Sequence, residues 1–161
     1  MLILDTLSRI IHVGTAITLV GGSVFMLLVL IPSASEKLDD ETHKSLGSTL
    51  IPRWKRIVHP GVLLFMISGF YNYFRAIPLH KGDGLYHVLI GTKMVLALGV
   101  FFLAAALVGR SEKLEHFREN RSKWLKVLVL LAAAIVTISG FAKVRGVPTN
   151  QASTTLIESA P

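Results

Sequence analysis

Four long apolar runs constrain the fold of this chain more than any other feature of its sequence. They cover about residues 10–31, 57–77, 85–108 and 124–142. A helix needs about 20 apolar residues to cross a bilayer, and backbone groups inside lipid must find their partners within the segment, so runs of this length are read as helices. The sequence therefore predicts an all-α integral membrane protein. We expect a single domain over residues 1–145, a four-transmembrane-helix bundle, and we expect residues 146–161 to be a mobile polar tail.

The composition narrows the chemistry that the chain can support. Hydrophobic residues make up 52% of the sequence, the mean hydropathy is +0.58 and there is no cysteine. The lack of cysteine excludes disulfides, thiolate metal sites, iron–sulfur clusters and covalent haem attachment. The net charge of +7 is high enough to suggest nucleic acid. However, an excess of Lys and Arg is typical of cytoplasmic loops in membrane proteins. We therefore expect the lipid bilayer, and no nucleic acid, as a partner.

The basic residues also predict an orientation in the inner membrane. Eleven lie in or beside the two longer loops, and five lie at the opposite ends of the helices. By the positive-inside rule, loops 32–56 and 109–123 are expected in the cytoplasm and both termini outside. The five residues expected outside are Arg9, Arg75, Lys81, Lys143 and Arg145.

Prolines and charges suggest where the helices end. The first run is expected to end at Pro32, and His59, directly before Pro60, is expected to mark a kink or the start of the second membrane helix, because a residue before proline disfavours helical backbone. The mixed-charge residues 110–123 are expected to extend the third helix into the cytoplasm.

A repeat relates the two halves of the chain. Three short motifs recur in the same order at offsets of 75, 76 and 71 residues. We interpret them as two helical hairpins, over about residues 1–75 and 76–145. Since each copy has two helices, the copies run parallel and are related by an axis along the membrane normal. The paired motifs are His12-Val13 with His87-Val88, residues 35–38 with 111–114 (both Ser-Glu-Lys-Leu), and residues 67–70 with 138–141 (both Ile-Ser-Gly-Phe).

His12 and His87 occupy equivalent positions in the two copies of the repeat. We therefore expect them to be symmetry mates near the outer face of the membrane. Two neutral imidazoles that face each other can hold a metal or a b-type haem without covalent bonds. Taken singly, each histidine is better explained as an amphipathic residue at the interface, so the interpretation as ligands depends on the pair. Cations on the same side would pair with haem propionates. The candidates are Arg9, Arg75 and Arg145.

Lys93 is the only charged residue expected to be buried in the interior of an apolar run, away from its ends, which makes it a functional candidate. The alternative is that its side chain reaches the outer interface, because helical side chains lean toward the N-terminus of their helix. We treat Lys93 as the candidate catalytic residue.

Three stretches carry a family resemblance: residues 53–60 (Arg-Trp-Lys-Arg-Ile-Val-His-Pro), Ser68-Gly69-Phe70, and residues 92–96 (Thr-Lys-Met-Val-Leu). With the early His12, they resemble the copper-resistance protein D superfamily, which includes the HemJ-like membrane protoporphyrinogen oxidases. The resemblance implies a haem-binding oxidoreductase for electron transfer or porphyrinogen oxidation, in which His12 and Lys93 match family positions. Gly91 stands where the HemJ-like proteins have a histidine two residues before the lysine.

Two other functions remain open from the sequence. The first is copper handling, in which imidazoles bind Cu(II) and thioethers bind Cu(I); the ligands would come from His12, His80, His87, Met66 and Met94. The second is a non-catalytic subunit of a larger membrane complex, or a homo-oligomer, which suits a chain with short loops.

Overall fold

A computed structural model describes residues 2–146, and nearly all of that part of the chain is helical. The described residues contain no strand, so the predicted all-α class is confirmed. A π-helical turn, Met26–Leu30, joins the first two helices, and 3₁₀ turns occur at Ile77–His80 and Glu112–Leu114. The helices are α1 (Leu2–Phe25), α2 (Ile31–Lys37), α3 (Asp40–Ala76), α4 (Gly84–Val108), α5 (Glu115–Glu119) and α6 (Arg121–Arg145).

Four continuous helical segments are long and apolar enough to cross a membrane: Leu2–Lys37, Asp40–His80, Gly84–Val108 and Arg121–Arg145. Large apolar side chains cover their outer surfaces, including Ile17, Val95 and Leu130, each more than two-thirds exposed. Such an extensive apolar surface suits contact with lipid better than contact with water. The predicted four membrane-competent helices are therefore confirmed. The tail beyond Gly146 lies outside the described residues.

The first membrane helix does not end at Pro32 as predicted. Proline lacks an N–H and its ring crowds the preceding turn. The turn before Pro32 is widened to π geometry, in which the Ile31 N–H donates to the Met26 carbonyl. The helix then continues as α2 to Lys37. A π turn therefore accommodates the proline where the sequence suggested a stop.

The second membrane helix also passes through its prolines. α3 runs without interruption from Asp40 past Pro52 and Pro60 to Ala76. Its start is fixed by Asp39, whose carboxylate accepts from the Thr42 N–H at 2.7 Å. His59 lies inside the helix, with its Nδ1 3.1 Å from the Lys55 carbonyl oxygen. It is therefore not the start of the helix.

The third helix has nearly its predicted bounds, but the predicted extension over residues 110–123 is wrong. α4 ends at Val108, and Gly109 is extended with ψ 170°. The Arg118 guanidinium donates to the carbonyl oxygens of Gly109 and Ser111, at 3.3 and 2.8 Å. These bonds fold the connection back on the end of α4, because they satisfy carbonyls that have no partner within the helix.

The long helices pack in a ring. α1 packs against α3 and α4 against α6, while contacts of α3 with α4 and of α1 with α6 connect these pairs. The buried core lies toward the loop end of α4 and α6 and comprises Met26, Leu103, Leu107, Leu125 and Leu128. This pairing of consecutive helices is compatible with two hairpins, whereas the internal repeat stays a prediction.

Contacts between α1 and α3 recur every seven residues along both helices. Asp5 bonds to Arg75, His12 contacts Ser68, and Leu19 lies against Gly61. Seven residues are close to two helical turns, so one face of each antiparallel helix meets the other throughout. This register places His12 opposite Ser68, in the C-terminal half of α3.

Candidate functional site

His12 is held between α1 and α3 by a hydrogen bond to Ser68. The His12 Nδ1 lies 3.0 Å from the Ser68 Oγ. The Ser68 Oγ also lies 2.7 Å from the Leu64 carbonyl oxygen and 3.2 Å from that of Phe65. When the hydroxyl proton is donated to one of these carbonyls, the Ser68 oxygen accepts from the imidazole Nδ1–H, and in that tautomer Nε2 keeps its lone pair. Fixing one ring nitrogen in this way selects the tautomer that can bind a metal through the other.

The imidazole also packs against neighbours on α3. Its ring centroid lies 4.0 Å from that of Phe65, which in turn meets Phe101 of α4 edge-on at 5.5 Å. Gly69 gives the ring room, since a Cβ at this position would lie 3.2 Å from the His12 Cε1. The His12 side chain is therefore confined at the junction of three helices.

Lys93, on α4, is half-buried, and its ammonium group lies within electrostatic range of the His12 imidazole. Among the described residues, Lys93 has no carboxylate partner. The structure thus brings together the family-matching His12 and Lys93, with Ser68 as the group that orients the histidine.

His87 is not brought into contact with His12 in the described part of the chain. His12 lies ten residues into α1 and His87 three residues into α4. At a rise of 1.5 Å per residue, these positions are about 15 Å and about 5 Å from the starts of their helices. His87 is exposed, and its ring meets Tyr86 edge-on at 5.8 Å. A role for His87 as second ligand stays a prediction.

Two of the three arginines expected to bind propionates have carboxylate partners within the chain. Arg75 binds Asp5 through two hydrogen bonds of 3.0 and 2.9 Å, and Tyr71 donates to the same carboxylate at 2.8 Å. Arg145 binds Asp83 through two bonds of 3.0 Å. Neither acidic partner, Asp5 or Asp83, was predicted from the sequence, although each lies near the start of a membrane helix.

Arg9 differs from the other two arginines. It is exposed and has no carboxylate partner among residues 2–146. It precedes His12 by three residues, a spacing that places two side chains on the same side of a helix. Arg9 and Lys93 are therefore the cations near His12 that remain available to an anionic ligand.

The Asp83 pair ties the α3–α4 connection to the end of α6. Asp83 is 5% exposed and accepts from the Tyr86 N–H at the start of α4, at 3.1 Å. The hydrogen bonds from the Arg145 guanidinium hold the pKa of Asp83 below its ordinary value, against the opposing effect of burial. His80 stacks on Tyr86 at 3.6 Å, with its Nδ1 3.8 Å from the Asp83 Oδ2. This cluster is explained as a structural clamp.

An apolar cavity of about 90 Å³ begins one turn from the His12–Lys93 pair. Ala16 and Ala97 line it, four residues after His12 and Lys93 respectively, and the cavity continues toward the loop end of the bundle. The described residues contain no group of three or more His, Cys, Asp or Glu side chains that could hold a metal ion. A ligand at this site would therefore depend on one imidazole and nearby cations.

Comparison with known proteins identifies no relative, since no family model, curated protein or solved structure matches the chain. Membership of the copper-resistance protein D superfamily thus rests on the short sequence motifs and stays a prediction.

Proposed function

We propose that this chain is a polytopic inner-membrane protein that binds b-type haem through His12, as a divergent member of the copper-resistance protein D superfamily. The observation that carries the proposal is the hydrogen bond between the His12 Nδ1 and Ser68. Histidines that bind metals generally donate their other ring N–H to a fixed acceptor. His12 has such an acceptor, and its Nε2 is left for the iron.

The membrane arrangement that we propose follows the helices and the charges. The four apolar segments would cross the bilayer as two parallel hairpins related by the internal repeat. Both termini would lie outside, with the α2–α3 and α4–α6 connections in the cytoplasm. The support for this is the length of the four helices and the eleven basic residues in or beside the two connections.

The unpaired cations fit a ligand that carries carboxylates. Arg75 and Arg145 already bind Asp5 and Asp83, which leaves Arg9 for a haem propionate and Lys93 for a carboxylate of the substrate. An unpaired cation within lipid is costly, so an anionic ligand would stabilise Lys93.

The bound haem would supply one-electron redox chemistry, and the protein would supply ligation and charge. His12 would bind the iron, and Ser68 would keep the imidazole oriented. Porphyrinogen oxidation is the reaction that the family resemblance implies. In that reaction Lys93 would contact the substrate, because porphyrinogens also carry propionate carboxylates. Copper handling has less support, since the described residues form no multi-ligand metal cluster.

An absorption spectrum of the detergent-purified protein, supplemented with haem, tests the proposal. Wild type and His43→Ala, which changes an exposed histidine of α3, are expected to show a Soret band. His12→Ala is expected to lose it. A change from low-spin to high-spin haem in His87→Ala would identify the second ligand.

Wild-type protein without a Soret band would contradict haem binding, and an unchanged band in His12→Ala would contradict the assigned ligand. Stable co-purification with other proteins in the absence of any cofactor would favour the alternative of a non-catalytic subunit.

A further inference from the structure

Arg121, at the start of α6, is a half-buried cation without a carboxylate partner. Its Nε atom is buried and has no hydrogen-bond partner among the described residues. Neither of the two cavities that Arg121 lines contains an Asp or Glu side chain. Arg121 is half-buried and its Nε is shielded from solvent, so a guanidinium without a counter-charge is unfavourable here and this position suits an anion from outside the chain.

Arg121 lies between two apolar cavities, together with Met26. On one side is the central cavity of about 90 Å³, whose lining includes Trp54, Val58 and Leu125. On the other is a cavity of about 80 Å³ between α2 and α3, lined by residues such as Leu46. A ligand that contacts Arg121 would therefore have apolar surroundings on both sides of its charged group.

A second unsatisfied donor lies one turn along α6. The Trp124 Nε1 is buried and also has no hydrogen-bond partner in the part of the chain that the structure describes. The spacing of three residues places Trp124 and Arg121 on the same side of the helix. Two buried donors without acceptors on one helical turn indicate that a group rich in oxygen atoms belongs beside them.

We propose that Arg121 and Trp124 bind the phosphate of an anionic phospholipid, whose acyl chain enters the apolar cavity beside Arg121. The charge, the paired donors and the apolar walls match the two parts of such a molecule. Arg binds phosphate oxygens through two parallel hydrogen bonds, and basic pockets between membrane helices are typical headgroup sites. The site lies at the opposite end of the cavity from His12 and does not depend on haem binding.

Tryptophan fluorescence offers a direct test, because both tryptophans of the chain lie near Arg121. Trp54 lines the central cavity together with Arg121, and Trp124 lies one turn further along α6 with its ring against Phe117. The full chain is placed in phosphatidylcholine vesicles that contain a minor fraction of brominated phosphatidylglycerol or, in parallel, brominated phosphatidylcholine. Bromine on the acyl chain quenches nearby tryptophan. One basic contact corresponds to about a fivefold preference for the anionic lipid over the zwitterionic one.

Variants and a soluble competitor show whether Arg121 causes the preference for the anionic lipid. Arg121→Gln is expected to quench equally with both lipids, whereas Arg110→Gln, which removes an exposed charge from the same connection, is expected to keep the wild-type preference. Arg121→Lys is expected to keep part of it. Equal quenching of wild type by the two lipids would overturn the proposal even if Arg121→Gln failed to fold. Relief of quenching by added inorganic phosphate would show a site for free phosphate and also overturn it.

Discussion

Ser68 contacts the Nδ1 of His12 and thereby orients the imidazole. When the Ser68 hydroxyl proton is donated to the Leu64 carbonyl, its oxygen accepts from the imidazole Nδ1–H and Nε2 is the nitrogen left free. The repeat supplies a natural comparison in Ser139, whose hydroxyl donates to the Ile135 carbonyl at 2.7 Å. Both serines make the same bond within their own helix, but only Ser68 also bonds to a histidine in the described structure.

Ser68→Ala is expected to weaken haem binding by about 10- to 100-fold, the usual effect of losing a partner that orients a metal ligand. Ser139→Ala should leave the affinity unchanged. Titration of each purified variant with haem, followed at the Soret band, measures both affinities. Equal affinities in wild type and Ser68→Ala would show that Ser68 does not orient the ligand.

The sequence identified His12 and Lys93 as candidates, but it did not identify Ser68 as the partner of His12. Ser68 belongs to a repeated motif, yet nothing in that motif says which helix it faces. The pairing depends on the register of α1 against α3. The seven-residue spacing common to Asp5, His12 and Leu19 was the available signal, since its partners on α3 have the same spacing.

The Asp83–Arg145 pair makes the free energy of unfolding depend on pH. Arg145 lowers the pKa of Asp83 in the folded state, so the carboxylate contributes stability above the pKa of the unfolded chain, about 3.9. That contribution is lost as the pH falls through the lower folded-state pKa.

The thermal midpoint of the wild type is expected to fall between about pH 5 and about pH 3. At about pH 5, Asp83→Asn should have a lower thermal midpoint than the wild type. Its midpoint should also fall less between the two pH values, because the variant lacks the titrating carboxylate. Asp40→Asn, which changes an exposed acid of α3, is the control. Equal acid-induced shifts in Asp83→Asn and wild type would contradict the role of the clamp.

At the scale of helices, close contact between α1 and α3 depends on small residues at particular positions. A Cβ on Gly22 would collide with the Trp54 ring, whereas a Cβ on the adjacent Gly21 would meet nothing within 4 Å. The two glycines share the same local sequence but face different surroundings. Small residues at such contacts let membrane helices approach closely.

Gly22→Val is expected to lower the free energy of unfolding by about 1–3 kcal/mol relative to Gly21→Val, the usual cost of overpacking. Since both variants place the same β-branched residue in α1, the difference reports the contact with Trp54. Unfolding in mixed micelles at increasing fractions of denaturing detergent measures it. Equal stability of the two variants would contradict the described packing of α1 on α3.

The sequence predicted the number of helices well and their ends poorly. The third run begins within a residue of α4 and ends with it at Val108, because Asp83 caps the start of the helix and Gly109 leaves helical geometry. The first and second helices extend far beyond their apolar runs, since a π turn absorbs Pro32 and α3 continues through Pro52 and Pro60. Hydropathy detects the part of a helix that suits lipid, whereas hydrogen bonding decides where the helix stops.

At the scale of the whole molecule, we propose that four helices cross the membrane and that the two longer connections lie on one side of it. Those connections carry most of the basic residues, and they also lie at the end of the bundle where Arg121 faces the cavities. The opposite end carries the Asp5–Arg75 and Asp83–Arg145 pairs. The His12 site lies nearer this second end.

Single-cysteine labelling tests this arrangement most directly, and the chain has no cysteine to interfere. Leu79→Cys, Ser45→Cys and Glu119→Cys each replace an exposed residue, the first at one end of the bundle and the other two at the opposite end. In intact spheroplasts, a membrane-impermeant maleimide is expected to label only Leu79→Cys, and after permeabilisation all three. Labelling of Leu79→Cys and Ser45→Cys from the same side would contradict the crossing by α3, and the reverse pattern would contradict the orientation.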